Sequence, residues 1–312
     1  MRKSPNLLAS LALVCWSVCF GLAGGAVAQD WRADLGVFRI GIVGGNDLRE
    51  ASARAEPFRL ALEEGLSMPV EVFATRDYPA LIDAAARSRI EYAVLSPLAL
   101  AAVEKSCDCF EPLVSARSGD GTDAYRMILI APVDGAQNPA GLSGAAVGAI
   151  RSSGAGGLQL SLLELAEIGL DLKQAPNRLV LFENGVDIMD AMRKGEIAAM
   201  IGWSTLTGDP AEGYSKGTLQ QMAAAGDDVT AYRSVWQSTP IPYRVHAVRN
   251  NLDAEAKTTL RTILPEMFAG DPVAYDSIEP VYGGGFFAAR PSQFTGLQKL
   301  LPEDEQGKAG EN

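Results

Sequence analysis

Residues 90–109 read I-E-Y-A-V-L-S-P-L-A-L-A-A-V-E-K-S-C-D-C, and the order of residue types in this stretch decides the fold. Residues 90–95 form a short apolar strand, Ser96 and Pro97 a corner, and residues 98–106 a small apolar helix. Proline at the first helical position leaves Ser96 as the N-cap, because the N–H that proline lacks has no intrahelical partner anyway. A buried strand that turns at once into a capped helix is the unit of an α/β sheet, in which helix N-termini gather along one edge.

The same pattern extends outward in both directions. Before the stretch come a strand over 37–43 ending in Gly44-Gly45-Asn46-Asp47, a helix over 52–65, a strand over 70–74 and a helix over 80–87 opened by Tyr78-Pro79. After it, strands over 110–115 and 125–133 flank a turn at 119–123. A second series follows: strand 146–150, a loop containing Ser152, Ser153 and Gly154, helix 158–168, strand 179–182, helix 186–193 and strand 197–201. A strand over 238–248, a helix over 253–267 with Asp253 as N-cap, and a last helix over 292–301 complete the chain. Alternation of this kind predicts parallel sheets covered on both faces.

Composition narrows the setting. Arg2 and Lys3, an apolar run over 7–22 and Ala26-Val27-Ala28 have the form of a secretory leader, so residues 1–28 are expected to be a cleaved signal peptide and the protein periplasmic. Residues 302–312 are charged and lack a hydrophobic pattern, which predicts a disordered tail. Lys and Arg number 27 against 38 Asp and Glu, a net charge of −11, which argues against nucleic acid as a partner. No cofactor is called for, and a monomer is expected. A local anion site remains compatible with the acidic surface, since backbone N–H groups and helix dipoles act at short range.

Several phrases together resemble the phosphonate-binding (PhnD-like) family of periplasmic solute-binding proteins. They are R-I-G-I-V from Arg39, T-R-D-Y-P-A-L-I-D-A from Thr75, E-Y-A-V-L-S-P-L-A from Glu91, R-S-S-G from Arg151 and I-P-Y-R-V-H-A-V from Ile241. The resemblance implies a type II periplasmic binding protein, with two α/β lobes joined by two crossover strands. Lobe 1 is then 36–127 plus 243–301 and lobe 2 is 130–235, with crossings near 125–133 and 236–246. It further implies a ligand-binding cleft touched by Tyr78, Ser96 and Pro97, by Tyr125 and Trp203 through their positions, and by Ser152, Ser153 and Gly154 at a helix N-terminus. Ordinary capping and hinge packing would account for several of the same residues. Where the family carries an acidic residue after a G-x-x motif, this chain places Ala198, which removes a counter-charge for an aminoalkyl phosphonate.

Three readings of Cys107 and Cys109 compete: a disulfide across one residue, two structural thiols, or a soft-ligand site for a metalloid. The last resembles arsenite-binding sensor proteins of the AioX type, which signal to a membrane histidine kinase. Arsenite is accordingly the favoured ligand, with a receptor for a phosphonate or phosphate ABC permease as the alternative. A cysteine-dependent enzyme would need a basic partner, and the only histidine, His246, reads as structural. The chain has no G-x-S-x-G, P-loop or strand-linked G-x-G-x-x-G motif, so it is not expected to be an enzyme. A nine-residue helix over 98–106 spans about 13 Å, which places the cysteines far from the corner at Ser96.

Overall fold

The computed structural model describes residues 30–151 and 156–301. The expected signal peptide, the tail from 302, and Ser152, Ser153 and Gly154 lie outside these residues. Twelve strands form two six-stranded sheets among the described residues.

The first lobe begins with α1 (Trp31–Leu35), β1 (Phe38–Val43), α2 (Leu48–Arg54), α3 (Glu56–Leu66), β2 (Val70–Thr75), α4 (Tyr78–Ala86), β3 (Tyr92–Leu95), α5 (Pro97–Cys107) and β4 (Phe110–Ala116). The second lobe follows with β5 (Ala124–Pro132), β6 (Ala146–Ile150), α6 (Gly157–Glu167), β7 (Arg178–Phe182), α7 (Gly185–Arg193), β8 (Ala199–Ser204), α8 (Thr218–Ala224), β9 (Tyr232–Gln237) and β10 (Ile241–Pro242). The chain then returns through β11 (Val245–Arg249), α9 (Ala254–Gly270), α10 (Pro272–Ile278) and β12 (Phe286–Ala288), and ends in a 3-10 helix, Thr295–Leu300.

The expected alternation is present, but neither sheet is purely parallel. In the first, β1 pairs in parallel with β2 and β3, while β11 runs antiparallel between β3 and β4 and β12 pairs antiparallel with β4. In the second, β6 pairs in parallel with β7 and β8, and β5 is antiparallel to β8, β9 and β10. β5 and β11, which carry the chain into each lobe, run against the parallel strands, since a chain arriving from the neighbouring lobe meets the sheet from its cleft end. Each sheet is buried on both faces: Phe38, Phe58, Leu62 and Tyr275 pack on one side of the first, Leu81, Leu100 and Phe110 on the other. The second has matching layers around Leu129 and Leu160, and around Ile130 and Met200.

The lobe boundaries differ from the expected ones in two places. All of β5 belongs to the second sheet, so residues 124–127 leave lobe 1 and the outward crossing lies at 117–123. The single strand expected over 238–248 is two, β10 in the second sheet and β11 in the first, with Tyr243 and Arg244 between them. The C-terminal helix also departs from the lobe 1 assignment: Phe294 is buried in the first lobe, whereas Leu297 and Leu300 pack into the second. Gln298 donates to Glu104 on α5, and Lys299 pairs with Glu164 on α6 at 2.9 Å.

Candidate functional site

The carboxyl ends of β1 and β3 open onto a pocket of about 320 Å³. Ile42 and Val43 come from β1, Val94 from β3, Tyr78 from the first turn of α4, and Arg54 and Ala51 from α2. Arg244, from the return crossing, and Ser277, Ile278 and Pro280 close its other side. This is the edge of an α/β sheet where free N–H groups at helix starts and strand ends create ligand sites. Asp77 caps α4 by accepting from Ala80 N–H at 2.9 Å. Ser96 caps α5 in the same way, its Oγ accepting from Ala99 N–H at 3.1 Å.

A row of aromatic rings runs across the crossings. Trp203 meets Tyr125 edge-on at 5.8 Å, Tyr125 stacks on Tyr243 at 5.7 Å, and Tyr243 meets Tyr282 at 4.9 Å. Burial, followed by the neighbouring Tyr282 and Tyr243, pushes the Tyr125 hydroxyl up to about 12, so it stays a neutral donor. Thr122 holds the Tyr243 hydroxyl at 3.2 Å. Asp120 in the outward crossing accepts from Thr122 Oγ1 at 2.6 Å and from Ser215 Oγ of the second lobe at 2.7 Å. Burial alone would raise the Asp120 carboxyl, but these hydrogen bonds outweigh it and hold the group well below the usual carboxylate range.

Behind the pocket a polar chain runs into the core of lobe 1. Tyr92 Oη lies 2.6 Å from His246 Nδ1, His246 Nε2 lies 2.9 Å from Glu279 Oε1, and Arg244 Nε lies 3.5 Å from the same carboxylate oxygen. Tyr92, His246 and Glu279 are fully buried. Burial pushes the Tyr92 hydroxyl far up and lowers His246 below the ordinary imidazole value, so the imidazole is neutral. A neutral ring between a phenol and a carboxylate has one assignment: Tyr92 donates to Nδ1 and Nε2–H donates to Glu279.

The facing pocket in the second lobe is of another kind. About 80 Å³ in volume, it is lined by Met127, Ile150, Ile188, Met189, Met200 and Trp203, with Thr218 and Gln221 as its polar side chains. It lies at the carboxyl ends of β6 and β8, near the starts of α7 and α8.

These positions sort the expected site residues. Tyr78 lines the first-lobe pocket, and Tyr125 and Trp203 stand in the aromatic row. Ser96 and Pro97 lie at the same sheet edge, one and two residues beyond Leu95, with the Ser96 oxygen engaged as a cap. Ala198 is not at the cleft: it precedes β8, at the opposite end from Trp203 and about 17 Å away along the strand. The inference of a lost ammonium partner at that position is therefore corrected.

Cys107 and Cys109 are joined in a disulfide across Asp108, which takes a left-handed conformation (φ 45°) as the C-cap of α5. Bonded sulfurs are not thiolates and offer no soft-ligand pair. The bridge sits where β4 begins, in register with Arg249 at the far end of β11, whereas the pocket opens at the other end of the sheet beside Arg244. No group of three or more metal-ligating side chains occurs among the described residues. The sequence did not single out Arg54, Arg244, Glu279 or Tyr282. Arg244 stood within the quoted I-P-Y-R-V-H-A-V phrase, but reading that phrase as one unbroken strand hid its place on a crossing.

A model of the family described as the periplasmic substrate-binding protein of phosphonate ABC transporters matches residues 40–294. The chain belongs to that family. Family members are periplasmic substrate-binding proteins, and among the described residues no helix is long and apolar enough to cross a membrane. Solved structures share the architecture. The XAC2383 protein of Xanthomonas citri bound to ATP superposes with a TM-score of 0.58 at 17% identity, covering 85% of this chain and 95% of that one. PhnD1 of Prochlorococcus marinus in complex with methylphosphonate gives 0.52 at 10% identity, covering 85% and 97%. At such identities the likeness concerns the fold.

Proposed function

We propose that this protein binds a small oxyanion of the phosphonate or phosphate type in the cleft between its lobes and presents the closed form to an ABC permease. The observation that carries this reading is the pocket at the carboxyl ends of β1 and β3, where Tyr78 and Arg244 face a space of about 320 Å³. Closure about crossings 117–123 and 243–244 would bring the aromatic row and the second-lobe face onto a ligand seated there, shifting a two-state equilibrium toward the closed form. Arsenite held by sulfur, with signalling to a histidine kinase, would require opening the Cys107–Cys109 bridge and would use the far end of the sheet. That weighs toward the cleft and an anionic ligand.

Isothermal titration of the full chain with methylphosphonate, inorganic phosphate, phosphite and arsenite tests the proposal. A saturable one-to-one isotherm with at least one of the three anions is expected, and none with arsenite under oxidising conditions. Silence with all three anions would reject the oxyanion reading.

A further inference from the structure

We propose that Arg54 and Arg244 make the first-lobe pocket an anion-selecting subsite, so that the ligand group entering it must carry a negative charge. The inference rests on the cleft reading above and adds the side chains that set its specificity.

Two arginines line one pocket from different elements, Arg54 from the last residue of α2 and Arg244 from the crossing before β11. Arg54 is exposed and makes no side-chain hydrogen bond or ion pair with another described residue. Arg244 is held from behind: its Nε faces Glu279 at 3.5 Å and its Nη1 donates to the Ile278 carbonyl at 3.3 Å. A guanidinium has five N–H donors in a flat fork. The Arg244 Nη2 edge has no partner among the described residues, in a side chain still 31% exposed.

Counting charges on these groups gives the selectivity. Arg54 and Arg244 are cations, no carboxylate stands among the described residues that line the pocket, and Glu279 lies behind Arg244. The same Glu279 oxygen also accepts from His246, which burial keeps neutral. The pocket therefore holds a surplus of positive charge, although the chain as a whole carries −11. When the lobes close and water leaves, a neutral oxyacid would strand that surplus in a medium of low dielectric, whereas an anionic group would neutralise it through charge-assisted hydrogen bonds. Phosphonate, phosphate and sulfonate oxygens share this chemistry, and protonated arsenous acid lacks it.

The buried chain from Tyr92 through His246 to Glu279 fixes Arg244 from the core side. Glu279 and His246 are thus positioning residues, and Arg244 and Arg54 would touch the ligand.

The test is titration of the full chain with methylphosphonate, inorganic phosphate, methanesulfonate and arsenous acid at neutral pH, for wild type, Arg54→Gln, Arg244→Gln and Arg244→Lys. Loss of one charge-assisted hydrogen bond should weaken binding of the anions about 10- to 100-fold. Added salt should weaken wild type more than Arg54→Gln. Since Arg244 contacts buried Glu279, a thermal melt accompanies each variant. If Arg244→Gln fails to fold, Arg54→Gln, on an exposed helix end, decides the matter. Wild-type affinity for an anion retained in Arg54→Gln and in every folded Arg244 variant would overturn the subsite and leave the cleft reading standing. Arsenous acid bound as tightly as the anions would likewise overturn the subsite. Failure of wild type to bind any anion would overturn both.

Discussion

The two faces of the cleft are built from the same α/β unit and offer opposite chemistry. On lobe 1 the strand ends carry Tyr78, Arg54 and Arg244, backed by a buried hydrogen-bonded chain. On lobe 2 the described face carries Met127, Ile150, Met189 and Trp203. The difference arises in the side chains that follow each strand, because both lobes share the backbone plan of parallel strands leading into helices. One fold can therefore divide its labour, with charge on one lobe and apolar surface on the other.

The largest effect should come from breaking the support of the charged face. Glu279→Ala leaves Arg244 and His246 without their shared acceptor, and unfolding free energy should fall by about 2–3 kcal/mol in urea denaturation. An unchanged midpoint would mean that the chain adds nothing to lobe 1.

The pH response of the same chain comes next. Burial holds His246 neutral, below the ordinary value of 6.5, so below that value the unfolded chain takes up a proton that the folded chain refuses. Stability should decline as pH falls through 6.5 toward the folded-state value, with a slope of up to about 1.4 kcal/mol per pH unit. Comparing melts of wild type and His246→Gln between pH 7 and pH 5 checks this, and the variant should lack that part of the decline. Tyr92, Glu279 and Arg244 are the polar groups around the ring.

The apolar face can be probed with a homologous series. Each methylene that leaves water for the Met127, Met189 and Trp203 surface is worth about 0.8 kcal/mol, so affinity should rise about threefold to fourfold per carbon from methyl- to propylphosphonate. Trp203→Ala should flatten that trend and leave phosphate binding nearly unchanged. A flat wild-type series would show that the alkyl group does not meet this face.

The smallest effect on binding should come from the disulfide. Cys107→Ser with Cys109→Ser removes a link closing a very short loop, so stability should drop by about 1–2 kcal/mol, and anion affinity should stay within twofold because the bridge lies at the opposite end of the sheet. A larger loss of binding would tie the bridge to the cleft and revive a role for sulfur.

Most of the fold was legible because strand and helix periods are local. The Ser96-Pro97 corner, the Asp253 cap and the parallel cores of both lobes can be read from neighbouring residues, and the family phrases set their order. The crossings were harder. Residues 238–248 look like one strand, since a sequence shows apolar alternation but not which sheet accepts each half. That ambiguity hid Tyr243 and Arg244. Helix α10, which places Glu279, is not evident in the sequence either, because a helix of only seven residues is a weak local signal. Arg54 could not be distinguished from any other exposed arginine on a helix: its significance lies in facing a residue 190 positions away. The metalloid reading of the cysteines went astray for a related reason. Their chemistry is visible in the sequence, but their position at the base of the sheet is not.

The C-terminal 3-10 helix gives the joint between the lobes a mechanical character. Besides the two crossings, a third covalent strap leaves lobe 1 at Phe294 and anchors in lobe 2 through Leu297 and Leu300, pinned on one side by Glu104 and on the other by Glu164. Two adjacent straps permit both bending and swivelling, as a pair of threads would. The third runs alongside the return crossing, where Lys299 and Thr239 share Glu164, so it doubles that crossing and any opening of the cleft should have to bend both together.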